Sequence, residues 1–129
     1  MASTEQIRAN IERYVELFSA GDSEAWSQLF AADAFHEDPV ATPPNEGREA
    51  IRAFLDNTQT MFGGVRLSTI EEPIVIGNEA ILTVRVSAGS GAGRVAVPRI
   101  VDVVQFNELG EITSLRAFWD VSTLTPDPE

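Results

Sequence analysis

The chain has 129 residues, 43% of them hydrophobic and 22% charged, which fits a single compact domain. It has no cysteine and no lysine, one histidine and one tyrosine, and its formal net charge is -11. These counts exclude thiol nucleophiles, Schiff-base lysines and metal sites built from several histidines. The acidity disfavours nucleic-acid and anionic membrane partners, so we expect a neutral or apolar ligand.

Neither a signal peptide nor a membrane span is predicted, because polar residues follow Met1 and no apolar run approaches the ~20 residues that cross a bilayer. We therefore expect a cytoplasmic protein made of one domain over residues 1–129. The proline-rich tail at 125–129 is expected to be frayed.

A first helix begins after Ser3, where the side chains of Ser3 and Gln6 are spaced for a capping box. Its apolar residues recur at steps of three and four, so they share one face, and Tyr14 belongs to that face. Gly21 favours the end of this helix, and Asp22 is placed to cap a second, shorter one. The residues that the two helices are predicted to bury are Ile7, Ile11, Tyr14, Val15, Phe18, Trp26, Leu29 and Phe30.

Residues 34–40 are predicted to be extended, since Pro39 disfavours helix at the residue before it, and 41–47 form a proline-rich loop. Helical spacing resumes over residues 48–62 and ends at Gly63. Strands are predicted after this helix, at 65–76, 80–88, 94–106 and 111–121. Three helices followed by an antiparallel meander indicate an α+β fold, with the helices packed on one face of a curved sheet.

Asp102 is the most unusual residue of the predicted sheet, because strand alternation places it beside Ile100 and Val104 on an apolar face. A carboxylate in such surroundings is unfavourable unless it is protonated or paired. Two interpretations remain open. Asp102 is either an edge-strand residue that faces solvent or pairs with Arg99 or Arg116, or a buried acid with a perturbed pKa at a functional site.

Asp38 and Tyr14 are two further candidates for chemistry. Asp38 ends the extended segment before the loop, where a side chain can project into the mouth of a cleft, or it simply forms a turn. Tyr14 is either an ordinary buried ring or a hydroxyl donor. A carboxylate base, with a tyrosine and a buried acid as hydrogen-bond donors to an oxyanion, suits proton abstraction next to a carbonyl.

Several segments resemble the bacterial Δ5-3-ketosteroid isomerases, within the wider NTF2-like and SnoaL-like superfamily. Ala-Gly-Asp at 20–22 and Phe-Ala-Ala-Asp-Ala at 30–34 are typical of the whole superfamily. Glu-Asp-Pro-Val at 37–40, together with Tyr14 and Asp102, is typical of the isomerases. The resemblance implies a cone-shaped NTF2-like fold, in which three N-terminal helices and a curved, mainly antiparallel sheet enclose a deep apolar pocket.

By this resemblance, Asp38 is the general base that moves a proton from C4 to C6 of a 3-oxo-Δ5 steroid. Tyr14 and protonated Asp102 then donate hydrogen bonds to the dienolate oxygen, and in this enzyme family an apolar site is known to keep one carboxylic acid neutral. The implied activity is a steroid Δ-isomerase without cofactor or metal, since His36 has no second histidine or cysteine beside it. The implied pocket walls are Phe18, Phe54, Leu55, Val84, Val86, Val104, Leu115, Ala117 and Trp119.

Two departures from the better-known members of the family concern activity and substrate. Leu55 stands where they carry a tyrosine that supports the catalytic one. Val84 and Val104 replace larger aromatic residues, which implies a roomier pocket.

Two other functions remain open. The same fold serves as a non-catalytic carrier of steroids or lipids, or as an epoxide hydrolase or polyketide cyclase. The epoxide hydrolases of this fold use an arginine set between two aspartates, and Arg99 with Asp102 matches that arrangement only in part.

A homodimer is a further expectation from the resemblance, with the faces of two sheets packed together. Val95, Val97, Val101 and Val103 are predicted to form the apolar face. A bulge at Pro98 would change the alternation along this strand.

Overall fold

A computed structural model describes residues 2–127 as three α-helices, two short 3₁₀ helices (Gly91–Gly93 and Val121–Thr123) and an eight-stranded mixed sheet. The helices are α1 (Thr4–Ala20), α2 (Ser23–Ser27) and α3 (Arg48–Phe62). The strands are β1 (Phe30–Glu37), β2 (Asn45–Glu46), β3 (Val65–Thr69), β4 (Ile74–Ile76), β5 (Glu79–Ala88), β6 (Val95–Phe106), β7 (Ile112–Phe118) and β8 (Thr125–Pro126). The predicted α+β class is confirmed, and no helix within residues 2–127 is long and apolar enough to cross a membrane.

The capping signals at the N-terminus act as predicted. The Ser3 side chain accepts a hydrogen bond from the backbone N–H of Gln6, and the Gln6 side chain accepts one from the backbone N–H of Ser3. Gly21 ends α1 in the left-handed conformation with φ 73°, which glycine adopts without steric cost. Asp22 caps α2 by accepting a hydrogen bond from the backbone N–H of Ala25.

The strands lie in the order β2-β1-β7-β6-β5-β3, with β4 paired to β5 and β8 paired to β6. All of these pairs are antiparallel except β1 with β7, which is parallel. Two parallel strands require a long connection. Here β2, α3 and β3 to β6 all come between β1 and β7 in the sequence. The strand predicted at 65–76 is divided into β3 and β4, since Pro73 has no N–H to donate to a ladder.

A bulge in β6 places Pro98 and Arg99 opposite the single residue Arg85 of β5, as the proline predicts. The extra residue reverses the side-chain alternation beyond it. The expectation that four valines of β6 share one face is therefore wrong. Val95 and Val97 point into a cavity inside the fold, whereas Val101 and Val103 lie on the outer face of the sheet.

The C-terminal segment, expected to be frayed, is paired as far as it is described. β8 extends the sheet beside β6, and the Asp127 side chain is 5% exposed. Its carboxylate lies 3.0 Å from Arg85 and 2.9 Å from Arg94, so the buried charge is compensated. The expectation of fraying is wrong for residues 125–127, while 128–129 lie outside the described residues.

The core lies between the helices and the inner face of the sheet, and aromatic rings fill its centre. The Trp26 ring contacts those of Tyr14, Phe18 and Phe30 at centroid distances of 5.5, 5.6 and 5.0 Å. Phe30 reaches this cluster from the start of β1 rather than from α2, which ends at Ser27. The cluster holds α1 and α2 against the sheet beside the cavity.

Candidate active site

A cavity of about 590 Å³ lies between α3, the inner faces of β3, β5 and β6, and the segment that follows β7. This volume is typical of small-molecule sites. Five of the nine predicted wall residues line it, namely Phe18, Phe54, Val84, Val86 and Trp119. The other four, Leu55, Val104, Leu115 and Ala117, are at most 2% exposed and lie in the core, outside the cavity lining.

The three predicted catalytic residues all line this cavity, although they are far apart in the sequence. Tyr14 comes from the buried face of α1, Asp38 directly follows β1, and Asp102 lies in the middle of β6. The fold therefore brings one phenol and two carboxyl groups to one apolar space.

Asp102 is a buried acid, as one of the two interpretations proposed. β6 lies between β5 and β7, and Asp102 faces inward with 3% of its surface exposed. Burial raises its pKa well above the usual range, and the charge of Asp38 raises it further. Burial of this kind favours the protonated form of an acid, which can donate a hydrogen bond.

The alternative in which an arginine neutralises Asp102 is wrong. Arg99 lies on the bulge of β6, and its guanidinium is 3.8 Å from Glu71. Arg116 donates a hydrogen bond of 2.8 Å to Glu37. Within residues 2–127, no arginine lines the cavity.

Asp38 is half-buried and has a specific hydrogen-bond donor. The indole N–H of Trp119 donates to Asp38 Oδ1 over 2.7 Å. Burial raises the pKa of Asp38 to about 6, against the opposing effect of this hydrogen bond. The neighbouring Glu37 accepts hydrogen bonds from Arg116 and from the backbone N–H of Ala41, which lower its pKa. The pKa values of the two adjacent carboxyl groups are thus shifted in opposite directions.

Tyr14 is 3% exposed, and its ring packs against those of Phe18 and Trp26. Burial raises its pKa well above the usual value, and the charges of Asp102 and Asp38 raise it further. The phenol therefore stays protonated and can act as a donor in the cavity.

His36 is fully buried and does not line the cavity. Its Nδ1 lies 3.1 Å from Asn45 Nδ2, and its ring is 4.7 Å from that of Phe54. Burial lowers the pKa of His36 to about 4, so the ring is neutral and accepts the amide hydrogen bond. Within residues 2–127, no group of three or more histidine, cysteine, aspartate or glutamate side chains is arranged to hold a metal.

Comparison with known proteins shows the family of the chain. Residues 11–115 match the SnoaL-like domain family. The chain belongs to the SnoaL-like family. The resemblance to the NTF2-like and SnoaL-like superfamily is therefore confirmed.

The relatives of this SnoaL-like protein include two kinds of enzyme. "Steroid Delta-isomerase" of Nocardioides simplex is 32% identical over 124 residues, which cover 95% of this chain and 97% of that protein. "Epoxide hydrolase LasB" of Streptomyces lasalocidi is 31% identical over 128 residues, which cover 90% of this chain and 43% of that protein. The solved structure of the epoxide hydrolase/cyclase-like enzyme SalBIII has a TM-score of 0.85 at 22% identity, covering 98% of this chain and 100% of that one. The last comparison shows a shared fold.

The largest part of the SnoaL-like pocket that sequence reasoning missed is one stripe of α3. Ala50, Ala53, Asn57, Thr58, Met61 and Phe62 line the cavity on either side of the predicted Phe54. These residues are spaced by three and four positions, so they form one stripe along the helix. Because the stripe mixes small, polar and large side chains, hydrophobic periodicity does not reveal it. The segment after β7 adds Val121 and Leu124.

Proposed function

We propose that this protein is a steroid Δ5-to-Δ4 isomerase that moves a proton from C4 to C6 of a 3-oxo-Δ5 steroid through a dienolate. The observation that carries the proposal is the contrast between two carboxyl groups in one apolar cavity. Asp38 has a pKa of about 6, whereas the pKa of Asp102 is raised well above its usual range. Enolisation requires this combination of a base and a neutral donor. The near full-length similarity to the Nocardioides simplex isomerase supports the same activity.

Asp38 acts as the base in the first step. A carboxylate with a pKa of about 6 is ionised at neutral pH, yet it is a stronger base than an ordinary aspartate. The hydrogen bond from Trp119 occupies Oδ1, so Oδ2 takes the proton from C4. The protonated carboxyl then returns the same proton to C6, which leaves Asp38 ionised and the double bond conjugated with the ketone.

Tyr14 and Asp102 stabilise the negative charge that develops on the C3 oxygen. Both are protonated donors, because burial and nearby negative charge raise their pKa values. A hydrogen bond to an oxyanion is stronger than one to a ketone, so these donors lower the barrier more than they strengthen substrate binding.

The apolar walls strengthen these electrostatic effects. Phe18, Phe54, Val84 and Val86 surround the polar groups with hydrocarbon, and charge interactions are stronger where water is excluded. Leu55 is fully buried in the core, so packing against neighbouring aromatic rings positions Tyr14 in the absence of a supporting phenol at that position.

The test is direct turnover of 5-androstene-3,17-dione, followed by the absorbance of the conjugated enone. We expect catalytic amounts of protein to raise the rate above that of buffer, and Asp38→Asn to remove most of the increase. Asp33→Asn is the matched control, because Asp33 is an exposed aspartate of β1. No turnover by the unmodified protein contradicts the proposal, and a ligand-induced thermal shift without turnover favours a steroid or lipid carrier.

A second candidate is an epoxide hydrolase or cyclase, which the similarity to LasB favours. Two carboxyl groups in one cavity can protonate an epoxide and activate a water molecule. The Arg99 side chain, the arginine that would assist such a reaction, is 68% exposed and directed to Glu71. Incubation with an epoxide that carries an apolar ring system distinguishes the candidates. Diol or cyclised product without ketosteroid turnover favours this second function.

We also propose that two copies of the chain associate through the outer face of the sheet. Ile74, Ile81 and Val103 are direct cross-strand neighbours there, and Ile74 and Ile81 are 56% and 42% exposed. Light scattering is expected to give a dimer, and Ile81→Glu a monomer. Leu109→Glu, on a turn, is the control. A monomeric unmodified protein contradicts the proposal.

A further inference from the structure

The cavity extends far beyond its polar end. Asp102 pairs with Leu82 at one level of the β5–β6 hairpin, and Val95 pairs with Ala88 at the other. Asp102, Ala88 and Val95 all line the cavity. Ala88 lies six residues along β5 from Leu82, which at ~3.3 Å per residue corresponds to about 20 Å along the strand.

The C-terminal end of α3 lies at the end of the cavity that is marked by the Val95–Ala88 pair, away from Asp102. The backbone N–H of Gly89, which follows Ala88, donates to the carbonyl of Gly64 just after the helix. Met61 and Phe62, in the last turn, line the cavity while 72% and 46% exposed. The far end is therefore partly open and has large apolar side chains at its rim.

The segment after β7 covers another side of the far half. Leu124 lines the cavity and precedes Thr125, which pairs with Ala96 next to Val95. Leu124 is 39% exposed and Val121 is 72% exposed. An exposed apolar rim continuous with an apolar cavity is typical of a ligand-binding groove.

The charges near the far end favour a neutral ligand there. Arg94 directly precedes Val95, and Arg85 lies three residues before Ala88, but Asp127 pairs with both guanidinium groups. Neither arginine lines the cavity. Because the chain also carries a net charge of -11, an anionic group at this end would be repelled.

A four-ring steroid nucleus fills only part of this length. At carbon–carbon bond lengths of about 1.5 Å, the fused rings span roughly 10 Å from the C3 oxygen to C17. With the ketone at Tyr14 and Asp102, C17 reaches about halfway along the cavity. About 10 Å of mainly apolar lining lies beyond that point.

We propose that the preferred substrate carries a neutral aliphatic side chain at C17, as in a sterol-type 3-oxo-Δ5 steroid. The side chain lies along the far apolar half of the cavity, against Met61, Phe62, Val95 and Leu124. This inference rests on the proposed isomerase activity and specifies the substrate class of the same site. Each methylene removed from water strengthens binding about fourfold. Partial burial of the side chain therefore favours a steroid that carries it over one that does not.

The first experiment compares cholest-5-en-3-one with 5-androstene-3,17-dione, both held in solution by the same concentration of cyclodextrin. We expect kcat/KM to be about tenfold higher for the substrate with the side chain. A ratio at or below one overturns the inference and leaves the proposed activity intact. Turnover of neither substrate overturns the isomerase proposal and the inference with it.

The second experiment locates the side chain with two exposed residues. Met61→Asp places a charge on the rim, and Leu109→Asp places the same charge on a distant turn at similar exposure, 72% against 78%. We expect the ratio of the two kcat/KM values to fall about tenfold in Met61→Asp and to stay constant in Leu109→Asp. Equal ratios in both variants contradict the proposed position of the side chain.

Discussion

Asp38 and Asp102 share one cavity, yet their surroundings are very different. Asp102 lies in the middle of a central strand and is 3% exposed, so burial dominates its pKa. Asp38 follows the end of a strand, is half-buried and receives a hydrogen bond from Trp119, so its pKa rises only to about 6. The difference shows that position along a strand and one hydrogen-bond donor give two carboxyl groups in one cavity different pKa values.

The two carboxyl groups also influence each other. The negative charge of Asp38 raises the pKa of Asp102 and that of Tyr14. The charge of ionised Asp38 therefore favours the protonated forms of Asp102 and Tyr14. Substitution of one carboxyl group at a time separates the contributions of the two.

The largest effect is expected from Asp38→Asn, which removes the base and leaves the cavity shape. General-base catalysis contributes on the order of 10²- to 10⁴-fold, so we expect kcat to fall about 10³-fold in the enone assay. Asp102→Asn leaves the base in place and serves as the comparison. An Asp38→Asn protein within tenfold of normal activity would show that another group moves the proton.

Asp102→Leu replaces the buried donor with an apolar side chain of similar shape. We expect kcat to fall about 10²-fold, as for loss of one oxyanion donor, with KM nearly constant because the hydrogen bond strengthens only as the charge develops. Asp102→Asn keeps an N–H donor and should lose less. A large rise in KM with normal kcat would assign Asp102 to ground-state binding instead.

Asp38→Asn is also expected to stabilise the protein above pH 6. The pKa of Asp38 is raised in the folded state, so the folded state binds its proton more tightly and loses stability as pH rises from about 4 to about 6. Asparagine does not ionise, so the Asp38→Asn protein does not lose this stability as pH rises. Allowing for partial exposure, we expect a gain of about 2 kcal/mol at pH 8, measured by thermal unfolding. An equal gain at pH 4 would show a cause other than ionisation.

The smallest effect concerns the pH dependence of turnover. We expect kcat/KM to rise with pH and to level off above about pH 6, as Asp38 ionises. The indole hydrogen bond lowers the pKa of Asp38, so Trp119→Phe should move the midpoint of this rise to higher pH. An unchanged midpoint would mean that the indole does not hold the carboxylate during turnover.

Local sequence patterns predicted much of the proposed site. Helical spacing placed Tyr14 on the buried face of α1, and strand alternation placed Asp102 on the inner face of β6. Both patterns depend on neighbours within a few residues. Asp38 was predicted from its place between a strand and a loop, and from the resemblance to a family.

Features that depend on distant contacts could not be predicted. The parallel pairing of β1 with β7 and the burial of Asp127 against Arg85 and Arg94 join residues far apart in the sequence. The bulge at Pro98 was anticipated, but without the partner strand its effect on Val95 and Val97 was not. The far half of the cavity was therefore missed, while the polar end was found.

The most direct test of the central contrast is a titration of the two carboxyl carbons by ¹³C NMR, with signals assigned from Asp38→Asn and Asp102→Asn. The account predicts that Asp38 titrates near pH 6 and that Asp102 remains protonated at pH 7. An ionised Asp102 at pH 7, or an Asp38 that titrates at the usual value for aspartate, would contradict it.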